Sequence, residues 1–155
     1  MLQRNDLLLI SHLRDNARET LTRMSKKTSI PISTIFERLK SYNEHLIRKH
    51  TALVDFGKLG YHAIALLFIR VRKDKREQIR EYLLKHQNVN SAFKVNNGYD
   101  YFVEAIFANI NELEAFIDCL EEKFPIKSKQ VYYILEDIKR EDFLSDPAKL
   151  EIITA

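Results

Sequence analysis

The sequence is poor in the residues that bend, punctuate and crosslink chains. Its 155 residues include three glycines, three prolines, one cysteine and no tryptophan. So few glycines exclude the glycine-rich phosphate and dinucleotide loops, and so few prolines exclude a collagen-like or linker-rich chain. A single cysteine, Cys119, excludes an intramolecular disulfide framework and a multi-cysteine zinc site. No apolar run approaches the roughly 18 residues of a membrane-spanning helix. The opening MLQRNDLLLISHLRD has a four-residue apolar run and no signal-peptide cleavage site, so a cytoplasmic protein with no membrane partner is expected.

Catalytic signatures are missing as well. There is no G-x-S-x-G, and the histidines at 12, 45, 50, 62 and 86 form no helical i, i+4 pair. No catalytic residues, no metal and no cofactor are therefore expected, and the chain reads as a protein other than an enzyme. What is present is a hydrophobic content of 45%, enough for a packed core.

The net charge of +3 is unevenly spread. Residues 1–50 hold ten Lys/Arg against five Asp/Glu, and residues 51–155 hold fifteen against seventeen. A basic first third suits a polyanionic partner, and the remainder does not.

The first fifty residues carry helical periodicity in three runs. Leu9, Ile10, Leu13 and Ala17 share one face, with Asp6 in the first turn and Asn16 as a terminator. Thr20 is the candidate N-cap of TLTRMSKK. After a break at Thr28–Pro31, Ile32, Ile35, Phe36, Leu39 and Tyr42 form the apolar stripe of a third helix, and Ser33, Thr34, Glu37, Arg38 and Ser41 its polar face. Helix, turn and polar-faced helix is a geometry that enters the DNA major groove. Ser33, Thr34 and Arg38 would reach base edges, and Lys26, Lys27 and Lys40 would contact phosphates. Glu37 would accept from a cytosine amino group or hold a neighbouring Arg or Lys in place.

From residue 61 the pattern is β-α-β-β-α-β. Strands are expected over AIALLFIRV at 63–71, over 89–95, over YFVEAIF at 101–107 and over QVYYILEDI at 130–138. KREQIREYLLKH and NELEAFIDCLEEKF supply the helices, and Asn96-Asn97-Gly98 a turn. This order makes a ferredoxin-like sheet with helices on one face, so the other face needs a cover, and a second copy supplies it most simply. Residues 141–155 read as a short tail that either starts a helical turn at Ser145 or Asp146 before Pro147 or is frayed.

The ordered set of segments resembles the Lrp/AsnC family of transcriptional regulators over residues 2–139. Leu2, Asp6, Leu9, Ile10, Leu13, Asn16, Ala17 and Arg18 match the family's opening helix, MSKKTSIP its second helix and turn, and TIFERLK its recognition helix with Glu37-Arg38. TALVDFGKLGY resembles its linker, NNGYDYFV its turn between the middle strands, and VYYILEDIK its closing strand. Three positions depart from the pattern. Ser29 stands where the family has a turn glycine, Asn97 stands where it has one before the effector loop, and the recognition helix lacks its terminal glycine, leaving Asn43 as a candidate cap. A serine held in the left-handed region costs on the order of 1 kcal/mol.

The resemblance implies an α+β protein: an N-terminal, winged-helix-like helix-turn-helix domain at 1–50, a linker strand at 51–60, a C-terminal ferredoxin-like βαββαβ domain for oligomerisation and effector binding at 61–139, and a tail at 140–155. It implies a sequence-specific regulator of double-stranded DNA, assembled as a homodimer and open to tetramers or octamers. An amino-acid effector would bind at Asn96, Asn97, Gly98, Tyr99 and Asp100, with Asp100 pairing an ammonium group. Two alternatives share the architecture: a siroheme-decarboxylase-like enzyme using Tyr99, Tyr101, His62 and Arg70, and an oligomeric sensor module without DNA binding.

Overall fold

A computed structural model describes residues 3–150; Leu2 and the last five residues of the tail lie outside the described part. The expected α+β architecture is present, in two compact units: the described parts of 1–53 and 138–155 form one, and Val54–Asp137 the other. The linker expected as a strand at 51–60 pairs with no strand and instead makes a 3₁₀ turn at Gly57–Leu59.

The first unit holds α1 (Arg4–Asp15), α2 (Leu21–Thr28) and α3 (Ile32–His45). Gln3 and Asp6 close a capping box at the start of α1, and the Asn16 N–H donates to the His12 carbonyl at its end. Thr20 caps α2 by accepting from the Arg23 N–H. Leu9, Met24, Ile30, Ile35 and Tyr42 form the core, with Ile10, Leu13, Leu21, Leu39 and Ile47 against it. Residues 138–150 return to this unit. Arg14 on α1 donates to the carbonyls of Phe143 at 2.5 Å and Glu141 at 2.9 Å. Asp146 caps the short 3₁₀ turn Pro147–Lys149.

The second unit is an antiparallel sheet of β1 (Ala63–Val71), β2 (Val89–Lys94), β3 (Tyr101–Phe107) and β4 (Ile126–Tyr133), ordered β2-β3-β1-β4. Helices α4 (Arg76–Lys85) and α5 (Ile110–Lys123) connect its strands. Alternate residues of β1 (Ala63, Ala65, Leu67, Ile69 and Val71) pack with Val103 and Ala105 against Ile79, Leu83, Leu113 and Phe116 of the helices. The other alternating set carries Phe68, Phe102, Phe93 and Tyr132, whose rings contact one another in sequence. Phe93 and Tyr132 are more than half exposed.

The closing strand differs from the expected 130–138. It pairs with β1 from Ile126, with Leu67 opposite Val131, and its paired run ends at Tyr133. Its first half, IKSK, is polar because the strand lies at a sheet edge, where lysines discourage pairing with another chain.

Candidate nucleic-acid interface and effector turn

The turn between α2 and α3 is built around Ser29, which takes φ 58° and ψ 22° in the left-handed region. The strain expected from a serine there is thus present, and local hydrogen bonds hold it. The Ser29 N–H donates to the Ser25 carbonyl at 2.9 Å, Ser25 Oγ to the Ile30 carbonyl at 2.6 Å, and the Ile30 N–H to Thr28 Oγ1 at 3.3 Å. Pro31 then stands at the N-cap of α3, where its missing N–H costs nothing. The far end of α3 has no left-handed cap. Asn43 lies inside the helix, and the Leu46 and Ile47 N–H groups both donate to the Tyr42 carbonyl.

The exposed side of α3 presents Ser33, Thr34, Glu37, Lys40 and Ser41. Glu37 forms no ion pair among the described residues, so it does not hold a neighbouring cation in place. Arg23, Lys26 and Lys27 of α2 are exposed, as are Arg48 and Lys49 beyond α3, two cations outside the expected site. The apolar stripe is split. Ile35 and Tyr42 are buried, but Ile32 is 45% and Phe36 54% exposed. A three-helix unit is too small to cover the whole flank.

Two of the expected DNA contacts are otherwise engaged. The Arg38 guanidinium, 28% exposed, is paired with Asp6 of α1, to which Tyr42 Oη also donates at 2.5 Å. Burial pushes the Asp6 carboxyl up, but the hydrogen bonds from Tyr42 and the Gln3 N–H, with the Arg38 charge, more than offset it and hold it below its ordinary value. Burial, and then the hydrogen bond given to Asp6, push the Tyr42 phenol up to about 12. Lys27 Nζ lies 2.5 Å from Oε1 of the buried Glu19, whose other oxygen is 3.3 Å from His12 Nδ1. The Lys27 ammonium holds the Glu19 carboxyl below the usual range despite its burial. Arg38 is partly buried and Lys27 exposed, and each is tied to a carboxylate of the same unit. Neither partner was legible locally, since Arg38 and Asp6 are 32 positions apart.

In the second unit the β2–β3 turn places Asn97 at φ 60° and Gly98 at φ 91°, and the Val95 N–H donates to the Asp100 carbonyl at 3.0 Å. Asn96, Asn97 and Gly98 are exposed, and Tyr99 is half-buried with its ring 5.5 Å from Phe68. Asp100 is placed differently from the expectation. It is 8% exposed; its Oδ2 accepts from the Val71 N–H at 2.9 Å and its Oδ1 lies 2.7 Å from Arg76 Nη2. Tyr101 Oη donates to the Arg76 carbonyl at 2.9 Å, so β1, β3 and the start of α4 are tied together here. Both Asp100 oxygens are thus engaged within the fold. Of the residues available to the decarboxylase alternative, Tyr99, Tyr101 and Arg70 are divided between the two faces of the sheet. Tyr101 belongs to the helix-covered core, whereas Arg70 and Tyr99 belong with the opposite face. Among the described residues no group of three His, Cys, Asp or Glu could hold a metal, and no helix is long and apolar enough to cross a membrane.

The profile of the Lrp/AsnC ligand binding domain matches residues 64–143. The chain belongs to the Lrp/AsnC family. It is 32% identical over 116 residues to the HTH-type transcriptional regulator FL11 of Pyrococcus abyssi, covering 74% of this chain and 77% of that protein. Over 148 residues it is 25% identical to an uncharacterized HTH-type transcriptional regulator of the same organism, covering 95% of this chain and 100% of that one. Among solved structures, the transcriptional regulator NMB0573 of Neisseria meningitidis in complex with L-Met superposes with a TM-score of 0.83 at 25% identity, over 90% of this chain and 94% of that one. AsnC of E. coli shares the fold with a TM-score of 0.80 at 18% identity, over 90% and 96% of the two chains. The Lrp/AsnC chain described here is an HTH-type transcriptional regulator with a ligand-binding domain.

Proposed function

We propose that this regulator binds double-stranded DNA through the exposed side of α3 and changes its occupancy with an amino acid bound by the second unit. The observation that carries the reading is the tight left-handed turn at Ser29, which delivers a helix whose N-terminal Ser33 and Thr34 are exposed while Ile35 and Tyr42 anchor it. Short hydroxyls at a helix N-terminus suit base edges or phosphates in the major groove. Lys26 and Lys40 take the phosphate contacts, joined by Arg48 and Lys49. Arg38 and Lys27 act as positioning residues that set the angle between helices. Two copies pair across the aromatic sheet face, which presents two recognition helices to half-sites about one helical turn, or a multiple, apart. The effector sits near Asn96–Tyr99, where turn N–H groups suit a carboxylate; its ammonium group finds an acceptor other than Asp100. The regulator works in the cytoplasm and catalyses no reaction.

Selection of random and genomic double-stranded DNA by the full chain, at several defined salt concentrations, tests the reading. The expected outcome is one enriched motif with two related halves, bound with a steep salt dependence. Recovery of unenriched DNA at every salt concentration would support the sensor alternative. Calorimetry with the twenty amino acids tests the effector.

A further inference from the structure

We infer that Phe36, seconded by Ile32, reads thymine by packing on its 5-methyl group in the major groove. The inference rests on the DNA-binding reading and deepens it by naming a base and the atoms that select it.

The argument begins with what remains free on α3. Arg38, the longest polar side chain of the helix, is held by Asp6 and Tyr42 inside the unit. The exposed side keeps Ser33, Thr34, Glu37 and Lys40 as polar readers. Beside them stand two large apolar side chains one turn apart, Ile32 at 45% and Phe36 at 54% exposure. One exposed apolar residue needs no explanation, but two adjacent on a helix flank form a patch that favours a partner.

The surrounding charge limits what that partner is. Lys40 lies one turn beyond Phe36 on the same helix, and Arg23 and Lys26 of α2 are exposed, against the one exposed carboxylate beside Phe36, that of Glu37. A second copy of this face would bring like charges together, whereas a polyanion is attracted. In the major groove each base pair shows donors and acceptors, and the thymine C5-methyl is the apolar group among them. Phe36 lies in the first half of α3, the part of a recognition helix that meets base edges.

The test uses the site selected by the full chain. Each thymine is replaced in turn by deoxyuridine, which removes the methyl group and leaves base pairing intact. Wild-type protein should lose about fourfold in affinity at one or two positions in each half-site, the worth of one buried methyl group. Phe36→Ala should bind the thymine site more weakly and be indifferent to deoxyuridine at those positions, with an unchanged melting temperature because the side chain is exposed. The wild-type deoxyuridine series does not depend on how the variant folds. No loss at any thymine, or a Phe36→Ala protein as sensitive to the replacement as wild type, overturns the inference while DNA binding stands. Failure to retain any duplex at low salt overturns the DNA-binding reading instead, and this inference with it.

Discussion

Arg38 reaches back from the third helix to the Asp6 carboxylate at the start of the first, and Tyr42, one turn further along, donates to the same oxygen. Three side chains thus fix the angle of the helix expected to enter DNA.

Removing the acceptor should therefore act on stability before it acts on binding. Asp6→Ala leaves a half-buried guanidinium without its partner and should cost about 2 kcal/mol. The pH dependence follows from the directions of the shifts. Asp6 has a depressed pKa in the folded unit, so its contribution is present above the ordinary carboxylate value and is lost as pH falls through the folded one. Tyr42 is raised to about 12, so its contribution is present below pH 10 and is lost as pH rises through about 12. Thermal melts between pH 2 and pH 12 check both limbs, and the acid limb should flatten in Asp6→Asn.

Lys26 and Lys27 are neighbours with different expected phenotypes. Lys26→Ala should weaken binding to every DNA sequence, lower the salt slope by about one, and leave stability unchanged. Lys27→Ala strips the buried Glu19 of its closest cation and should destabilise the unit by roughly 2 kcal/mol. Glu19→Gln in the Lys27→Ala background should recover most of that loss. Chemical denaturation of the four proteins, beside salt-series gel shifts, separates the two roles.

Ser29→Gly should stabilise the first unit. It relieves a left-handed serine, worth ~1–2 kcal/mol, against ~0.4–1 kcal/mol of added freedom in the unfolded chain. The expected net gain is about 0.5 kcal/mol, read as a raised denaturation midpoint. Ser29→Val should lose more than that gain, since a β-branched side chain fits this conformation worse.

Assembly is expected to depend on the aromatic face of the sheet. Phe102 stands between Phe68 and Phe93, with ring centroids at 4.8 and 6.0 Å. Phe102→Glu should place a charge in the middle of the dimer contact and give a single-chain mass by light scattering at micromolar concentration, where wild type gives at least twice that mass.

Much of the fold was legible because the decisive signals are local. The apolar run of β1 and the strand YFVEAIF coincide with the observed strands residue for residue, and Thr20 and Asn16 stand at the helix ends where their side chains suit caps. The first half of β4 was missed because an edge strand shows its lysines to water and loses the apolar alternation. The site was less legible, because periodicity tells which residues share a helix face and not which part of that face a neighbour covers. Phe36, which shares the apolar stripe, is nonetheless 54% exposed, and Arg38, expected at base edges, is 28% exposed and paired with Asp6. Asp100 was read from the chemistry of its own turn, while its partners, Val71 and Arg76, come from elsewhere in the chain.

The segment that Arg14 holds gives the chain a circuit. Its backbone leaves the first unit after residue 53 and is back in it from residue 138. A first unit cut out at residue 53 would therefore leave the Arg14 guanidinium without the Phe143 and Glu141 carbonyls it holds, so a free-standing version of that unit has to carry residues 138–150 as well as 1–53.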